Sequence, residues 1–160
     1  MHPAGSIRLL KFAGRTVVLE WTSPSCPFVH AQYASGSMQA LQRWAVERGV
    51  AWLSVLSTHS SRADYLPPAQ AEDFNRRRDS SPTALLMDSA GTLGRAYGAR
   101  TTPHMFIVAP AGTLAYLGAI DSKPTVDETE VPRSRNYVRA ALEDIAAGRV
   151  VAMASIRPYG

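Results

Sequence analysis

The chain has 160 residues, of which 46% are hydrophobic and 19% are charged. This length allows one domain with a proper hydrophobic core and is too short to suggest two. The net charge of +4 is spread along the chain, apart from the arginine run 76–78. We interpret that run as a solvated helix end that complements the helix dipole, so composition excludes an obvious nucleic-acid interface.

The cysteine count and the N-terminus limit the cellular setting. One cysteine means that the fold cannot depend on an intramolecular disulfide. Met1–Ser6 lacks the basic segment and long apolar core of a signal peptide, and no apolar run is long enough to span a bilayer. We therefore expect a cytoplasmic protein without a membrane partner. Export is the alternative if a leader peptide is missing from this sequence.

Apolar runs alternate with helical patterns, which predicts a compact α/β domain. Strands are predicted at residues 16–21, 51–56, 84–87, 104–108 and 113–117. Helices are predicted at residues 27–48 with a bend at Gly36, and at 68–78, 91–97 and 136–147. The segment 109–112 is typical of a hairpin turn, so the sheet is expected to be mixed. Residues 121–135 are predicted to form a surface loop, and residues 150–160 a short extended arm.

The single cysteine lies between the first predicted strand and the first predicted helix. Cys26 follows the polar turn 22–25, and Pro27 suits the first position of a helix. Unpaired backbone N–H groups and the positive end of the helix dipole stabilise a thiolate, which is the nucleophilic form of cysteine. We interpret Cys26 as a reactive thiol. The alternative is a buried, inert cysteine that acts as a small hydrophobe.

Three parts of the sequence carry a family resemblance: residues 21–28, residues 86–98, and residues 102–107 with 112–114, in this order. Together they resemble the thioredoxin superfamily. The resemblance is to its redoxin branch of alkyl hydroperoxide reductase/TSA-like and TlpA/ResA-like proteins, and it covers nearly the whole chain. It implies that residues 1–160 form a single thioredoxin-like domain, with a central mixed sheet of about five strands flanked by about four helices. It also implies a cis peptide bond between Thr102 and Pro103 beside the thiol, where the Thr102 backbone could pair with an extended substrate. A trans proline at the start of a strand is the alternative.

The chain departs from the family's patterns at two positions. Thioredoxin-like oxidoreductases use a Cys-x-x-Cys pair, whose second thiol resolves the mixed disulfide formed by the first. Val29 occupies that second position, so the resemblance implies an external thiol reductant, either glutathione or a protein thiol. A cysteine in a C-terminal continuation beyond Gly160, as in relatives, is the alternative. In the peroxiredoxin pattern, Ser23 matches the Thr or Ser before the cysteine, but Leu19 replaces the proline.

Other candidate residues surround the thiol in the sequence or follow the proline. The supporting positions are Ser23, Pro27, Thr102 and Pro103, and the further candidates are Trp21, His30 and His104. His30 lies one helical turn beyond Cys26 and could stabilise a thiolate or relay a proton; it could equally be an exposed helix residue. Arg95 and Arg100 are candidate cationic partners or solvent-facing side chains.

No cofactor is expected from this sequence. One cysteine and scattered histidines lack the spacing of metal ligands. The sequence also lacks a nucleotide or flavin motif. We therefore expect no metal and no organic cofactor, and any electrons should arrive through a partner thiol.

Three functions fit these residues. In the first, the Cys26 thiolate attacks a disulfide-bearing protein, and an external thiol reduces the mixed disulfide. In the second, a one-cysteine peroxiredoxin-like peroxidase with antioxidant activity, Cys26 attacks a peroxide and becomes a sulfenic acid. The third is a redox-inactive thioredoxin-like module that binds a peptide or partner beside Pro103. We favour disulfide exchange, because Thr102–Pro103 matches its family pattern better than Ser23 and Leu19 match the peroxide motif.

Overall fold

The fold is built on one mixed sheet. The computed structural model describes residues 9–160, and Met1–Ser6, where the sequence lacks a signal-peptide pattern, lies outside the described residues. The strands are β1 (Val17–Trp21), β2 (Ala51–Leu56), β3 (Ala84–Met87), β4 (His104–Val108) and β5 (Leu114–Gly118), in the order β3-β2-β1-β4-β5. β1 pairs in parallel with β2 and antiparallel with β4. The predicted strands and the mixed sheet are confirmed.

The helices occupy the predicted regions, with one correction. They are α1 (Pro27–Ala34), α2 (Ser37–Glu47), α3 (Pro68–Arg77), α4 (Thr92–Tyr97) and α5 (Tyr137–Ala146), with short 3-10 helices at Leu9–Phe12 and Val131–Arg133. The prediction of one bent helix over 27–48 is wrong. Gly36 has φ 77, a left-handed conformation that glycine tolerates because it has no Cβ, and this conformation ends one helix before the next begins. Within residues 9–160, no helix is long and apolar enough to cross a membrane.

Two apolar layers cover the two faces of the sheet. Because side chains alternate along a strand, Val17, Leu19 and Trp21 enter one layer, whereas Val18 enters the other. The Val18 layer packs against α1, α2 and α5, and the Leu19 layer packs against α4 and the first 3-10 helix. Each fully buried large apolar side chain contributes about 1.5–3 kcal/mol to folding. This burial holds the ends of β1 and β4 in a fixed relation.

The C-terminal tail, residues 150–160, is extended as predicted but does not project from the fold. Leu117 on β5 donates its N–H to the carbonyl of Ala154 at 3.0 Å and accepts from the N–H of Ile156 at 3.1 Å. Gly118 has φ 141, and a Cβ there would collide with the Ile156 backbone. The tail is thus paired along the open edge of β5.

The arginine run at the end of α3 is only partly a solvated helix end. Arg76 and Arg77 are exposed, but Arg78 is half-buried. The Arg78 guanidinium carbon lies 3.7 Å from the centroid of the Tyr33 ring, and Nη2 donates to the Asn75 side chain at 2.6 Å. The solvated interpretation is wrong for Arg78, because stacking on an aromatic ring offsets part of the cost of removing its charge from water.

Candidate functional site

Cys26 stands where β1 leads into α1. It is the N-cap of α1, with an extended backbone (φ −82, ψ 120) and Pro27 at the start of the helix. Its thiol is half-buried, and Sγ donates to the carbonyl oxygen of Thr102 at 3.0 Å. The Thr102–Pro103 peptide bond is cis. Antiparallel pairing of Trp21 with His104 brings the turn after β1 and the loop before β4 to the same end of these two strands.

The polar turn before Cys26 is held by its own hydroxyl groups. The Ser23 carbonyl accepts from the Cys26 N–H at 3.4 Å, and the Ser23 and Ser25 hydroxyl groups lie 3.2 Å apart. Ser25 also donates to the Asp64 carboxylate at 2.8 Å. The bond from Ser25 is the main reason why the pKa of Asp64 lies below its usual value. Sequence reasoning missed Asp64, because its loop carries no periodic pattern that would place it beside Ser25.

A cavity of about 510 Å³ opens between this turn and the loop before β4; we call it the polar cleft. Its lining includes Ser23, Ser57, Arg62, Arg100, Thr101 and Thr102. Ser23 and Thr102 border both the cleft and Cys26. Of the two candidate cations, Arg100 lines this cleft, whereas Arg95 is exposed and approaches Gly91. Arg62 was missed for the same reason as Asp64, with which it forms an ion pair at 3.2 Å.

Trp21 forms a wall of the polar cleft rather than a reactive group. Its indole N–H donates to the Ser57 hydroxyl at 3.0 Å, and Ser57 donates to Asp88 at 2.7 Å. Asp88 also accepts the backbone N–H of Gly94 at 2.9 Å. Burial alone would raise the pKa of Asp88, but the bonds from Ser57 and from the backbone of α4 outweigh it and lower the pKa. This chain of bonds fixes the floor of the cleft.

Neither candidate histidine is hydrogen-bonded to the thiol. His30 donates its backbone N–H to the Cys26 carbonyl at 2.9 Å, but its side chain is exposed and lines a second cavity between α1 and α3. His104 is buried, and its Nδ1 accepts the N–H of Arg100 at 3.2 Å. Burial, and then the positive charge of Arg100, lowers the pKa of His104 to about 4. The His104 ring is therefore neutral at pH 7 and supports the loop before β4.

The tail also borders the surroundings of the thiol, at Phe28 and at Thr102. The Tyr159 ring packs edge-on against Phe28 at 5.5 Å between centroids, and its hydroxyl donates to Asp121. Asp121 also accepts from the Gln32 amide at 2.6 Å. A side chain at Gly160 would collide with the Thr102 carbonyl, so the Gly160 backbone lies directly against that carbonyl. No sequence pattern indicated this contact, because it depends on how the tail pairs with β5.

A fully buried carboxylate lies on β1, between β2 and the helices α1 and α2. Glu20 on β1 accepts from Tyr33 (2.7 Å), Gln42 (3.1 Å), Trp52 (2.8 Å) and Ser54 (3.0 Å). We call this group the Glu20 cage. A charged residue within the otherwise apolar run 16–21 was the sequence signal for it, since a carboxylate is buried only when hydrogen bonds replace its hydration.

The remaining site positions have clear places. Pro27 is exposed at the head of α1, and Pro103 is buried beneath the thiol's loop. Val29, which stands where a second cysteine would be, is 2% exposed and belongs to the core. Within residues 9–160, no three His, Cys, Asp or Glu side chains are grouped so as to hold a metal ion.

Comparison with known structures shows the class of fold. No protein-family model and no curated protein sequence matches the chain. It is similar to an uncharacterized conserved protein from Geobacillus kaustophilus, with 20% identity and TM-score 0.73 over 92% of this chain and 74% of that one. A hypothetical protein from Sinorhizobium meliloti 1021 has 24% identity and TM-score 0.70 over 94% and 81% of the two chains. A thioredoxin-like protein in its oxidized form has 16% identity and TM-score 0.63 over 88% and 86%.

The chain has the thioredoxin-like fold. The five-stranded mixed sheet flanked by helices and the similarity to a thioredoxin-like protein confirm the expected fold. At these identities the comparisons show the fold alone. The function must be argued from the site.

Proposed function

We propose that Cys26 is the nucleophile of a thiol–disulfide exchange protein. The observation that carries this proposal is the position of its thiol: it lies at the N-cap of α1, 3.0 Å from the carbonyl of Thr102, a residue that lines the polar cleft. The N-terminal end of a helix favours negative charge on sulfur, and a half-buried Sγ can still reach a substrate.

The reaction needs no cofactor. The Cys26 thiolate attacks one sulfur of a disulfide RS–SR, a new Cys26–SR bond forms, and the second sulfur leaves as a thiolate RS⁻. When the thiol loses its proton, its bond to the Thr102 carbonyl is lost, and the positive end of the α1 dipole stabilises the charge on the sulfur.

An external thiol completes the cycle. Val29 is packed in the core at the position of a second cysteine, so this helix cannot supply the resolving thiol. A small-molecule or protein thiolate R′S⁻ attacks the sulfur of the SR group, releases the Cys26 thiolate and forms RS–SR′. The disulfide is thus passed from one partner thiol to another through Cys26.

The polar cleft favours a second candidate, a one-cysteine peroxidase. Ser23 and Arg100 line this cavity beside Thr102, and a hydroxyl group with a cation would suit a peroxide. In that reaction the Cys26 thiolate attacks one peroxide oxygen, the O–O bond breaks, and a sulfenic acid forms as the other oxygen leaves as hydroxide or alkoxide. Two partner thiols would then reduce the sulfenic acid to the thiol, with release of water and formation of a disulfide between the two partner thiols.

Intact-mass spectrometry separates the candidates. The reduced protein and Cys26→Ser are exposed briefly and separately to stoichiometric oxidised glutathione and hydrogen peroxide. We expect rapid addition of one glutathione to the unmodified chain and none to Cys26→Ser. Rapid addition of oxygen at Cys26, without glutathione addition, would instead support the peroxidase. A thiol inert to both reagents would refute both reactions and leave the redox-inactive binding module.

A further inference from the structure

We infer that Cys26 reacts with small anionic disulfides that enter through the polar cleft. The tail prevents extended protein segments from reaching the backbone of Thr102. This inference rests on the proposed exchange function and names its substrate class. Two independent observations carry it: the contacts of the tail with the thiol's surroundings, and the charges that line the cleft.

The tail lies against the Thr102 backbone, with which an extended substrate would pair. A peptide can pair with a loop only through free N–H and carbonyl groups in reach of a neighbouring strand. The Gly160 backbone lies against the Thr102 carbonyl, the same oxygen that accepts from Cys26. An incoming strand must therefore displace the chain's own tail.

Contacts on both sides of the tail oppose this displacement. Tyr159 would lose its ring contact with Phe28 and its bond to the buried Asp121. The strand-like pairing of Leu117 with Ala154 and Ile156 holds the segment before it. Because an aromatic pair and a hydrogen bond to a charged group are both lost, we expect an extended substrate to react about tenfold or more slowly than a small one.

Among the described residues, the lining of the polar cleft contains two cations and no carboxylate. Arg62 and Arg100 line it, and Arg100 forms no ion pair with any residue in the described range 9–160. Two opposing charges lie nearby: Asp64 is paired with Arg62 and accepts from Ser25, and Asp88 accepts from Ser57 and the Gly94 N–H under the floor of the cleft. Arg100 is thus the uncompensated charge on this approach. A disulfide that carries carboxylates would be attracted to it, and a cationic disulfide would be repelled.

The reaction is the exchange already described. The substrate disulfide and the thiol that it releases both carry negative charge. The Cys26 thiolate bonds to one sulfur of the anionic disulfide, the S–S bond breaks, and an anionic thiolate leaves through the cleft. An external thiolate then cleaves the Cys26 mixed disulfide. No oxidant or reductant beyond the disulfide and this thiol is consumed.

Opposite charges on two simple disulfides test the role of the cleft. Reaction rates of Cys26 with oxidised glutathione, which is anionic, and cystamine, which is cationic, are compared in the unmodified chain, in Arg100→Ala and in Arg133→Ala. Arg133 is an exposed arginine paired with Glu130 and serves as a control of equal charge. We expect Arg100→Ala to lower the glutathione-to-cystamine rate ratio about three- to tenfold at low salt, with a smaller effect at high salt.

The role of the tail is tested with substrates that differ in length. Both carry the same 2-nitro-5-thiobenzoate mixed disulfide, one on free cysteine and one on the cysteine of an extended peptide, so release of the coloured thiolate reports each rate. We expect the peptide to react about tenfold more slowly in the unmodified chain, and Tyr159→Ala to remove most of this difference. Tyr159→Phe keeps the ring contact and should remove less of it, which protects the test if the alanine variant folds poorly.

The outcomes separate this inference from the proposed function. Equal rates for peptide and free cysteine, or a rate ratio that Arg100→Ala and Arg133→Ala change alike, would overturn the substrate class while leaving exchange at Cys26 intact. No reaction of the unmodified chain with any of the four disulfides would refute the exchange function itself.

Discussion

Two polar groups near the same end of β1 have opposite surroundings. Glu20 is fully buried and accepts four hydrogen bonds from Tyr33, Gln42, Trp52 and Ser54. Cys26 is half-buried, and its sulfur forms one hydrogen bond, to a backbone carbonyl. This difference in hydrogen bonding separates a group that stabilises the fold from a group that can react. A group with every hydrogen bond satisfied stabilises the core, whereas a group with few partners at the edge of the sheet remains free to react.

The division also concerns the elements that supply the contacts. The Glu20 cage is built from β1, β2, α1 and α2, which pack against one another in the core. The surroundings of Cys26 come from the turn 22–25, the loop before β4 and the tail. We expect substitutions in the cage to change stability, and substitutions around the thiol to change reactivity.

Glu20→Ala should give the largest change in stability. It leaves four buried donors without their acceptor, so we expect a loss of about 3–5 kcal/mol in the free energy of unfolding. Urea unfolding measures this loss, with the exposed Glu47→Ala at the end of α2 as the control. A loss no greater than that of the control would show that the cage does not stabilise the core.

His104 should make stability depend on pH. Burial and Arg100 lower the pKa of His104 to about 4 in the folded state, from a usual value of 6.5. Between these values the unfolded chain binds more protons, so stability falls as the pH drops from 6.5 towards 4 and is constant with respect to this group above 6.5. At about 1.4 kcal/mol per pKa unit, the full effect is about 3 kcal/mol.

The comparison variant for this prediction is His104→Asn. Urea unfolding from pH 7.5 to pH 4.5 should show a shallower loss of stability in the variant than in the unmodified chain. Parallel pH profiles would contradict the assignment of a buried neutral imidazole. His59→Gln, on an exposed loop, is the control for removal of a histidine.

Gly118→Ala tests the packing of the tail against β5 at the edge of the sheet. Its φ of 141 is strained for alanine, and the new Cβ would collide with the Ile156 backbone, so we expect a loss of about 2 kcal/mol and faster exchange of the Ile156 amide. Gly112→Ala is also at a positive φ, 86, but has open space around its Cβ. This control isolates strain from collision, and equal hydrogen exchange at Ile156 in both variants would rule out the collision.

Tyr33→Phe should have the smallest effect. The hydroxyl donates to Glu20 and accepts from Gln42, and burial, followed by the charge of Glu20, raises the pKa of Tyr33 well above its usual value. Loss of the hydroxyl should cost about 1–2 kcal/mol in urea unfolding and leave the rate of Cys26 with cystamine unchanged. A large change in that rate would mean that the cage and the thiol are coupled.

Local sequence patterns were enough to predict much of the fold. The apolar runs of β1, β2, β3 and β4 and the spacing of Tyr137, Ala141 and Leu142 in α5 depend on residues close in the chain. Periodicity therefore located these elements to within a residue or two. It could not show that Gly36 would separate two helices, because a glycine is compatible with a bend as well as with a break.

The sequence by itself determined that the only cysteine would stand at the head of a helix, because a strand, a polar turn and Pro27 adjoin it in the chain. Only the tertiary structure decided what surrounds that thiol. Strand pairing brings Thr102 to the thiol. Loop paths and the tail bring Asp64, Arg100 and Gly160 to the neighbours of Cys26 or to the polar cleft. Contacts between residues far apart in sequence depend on how whole elements pack, and no local pattern of residue types encodes that packing.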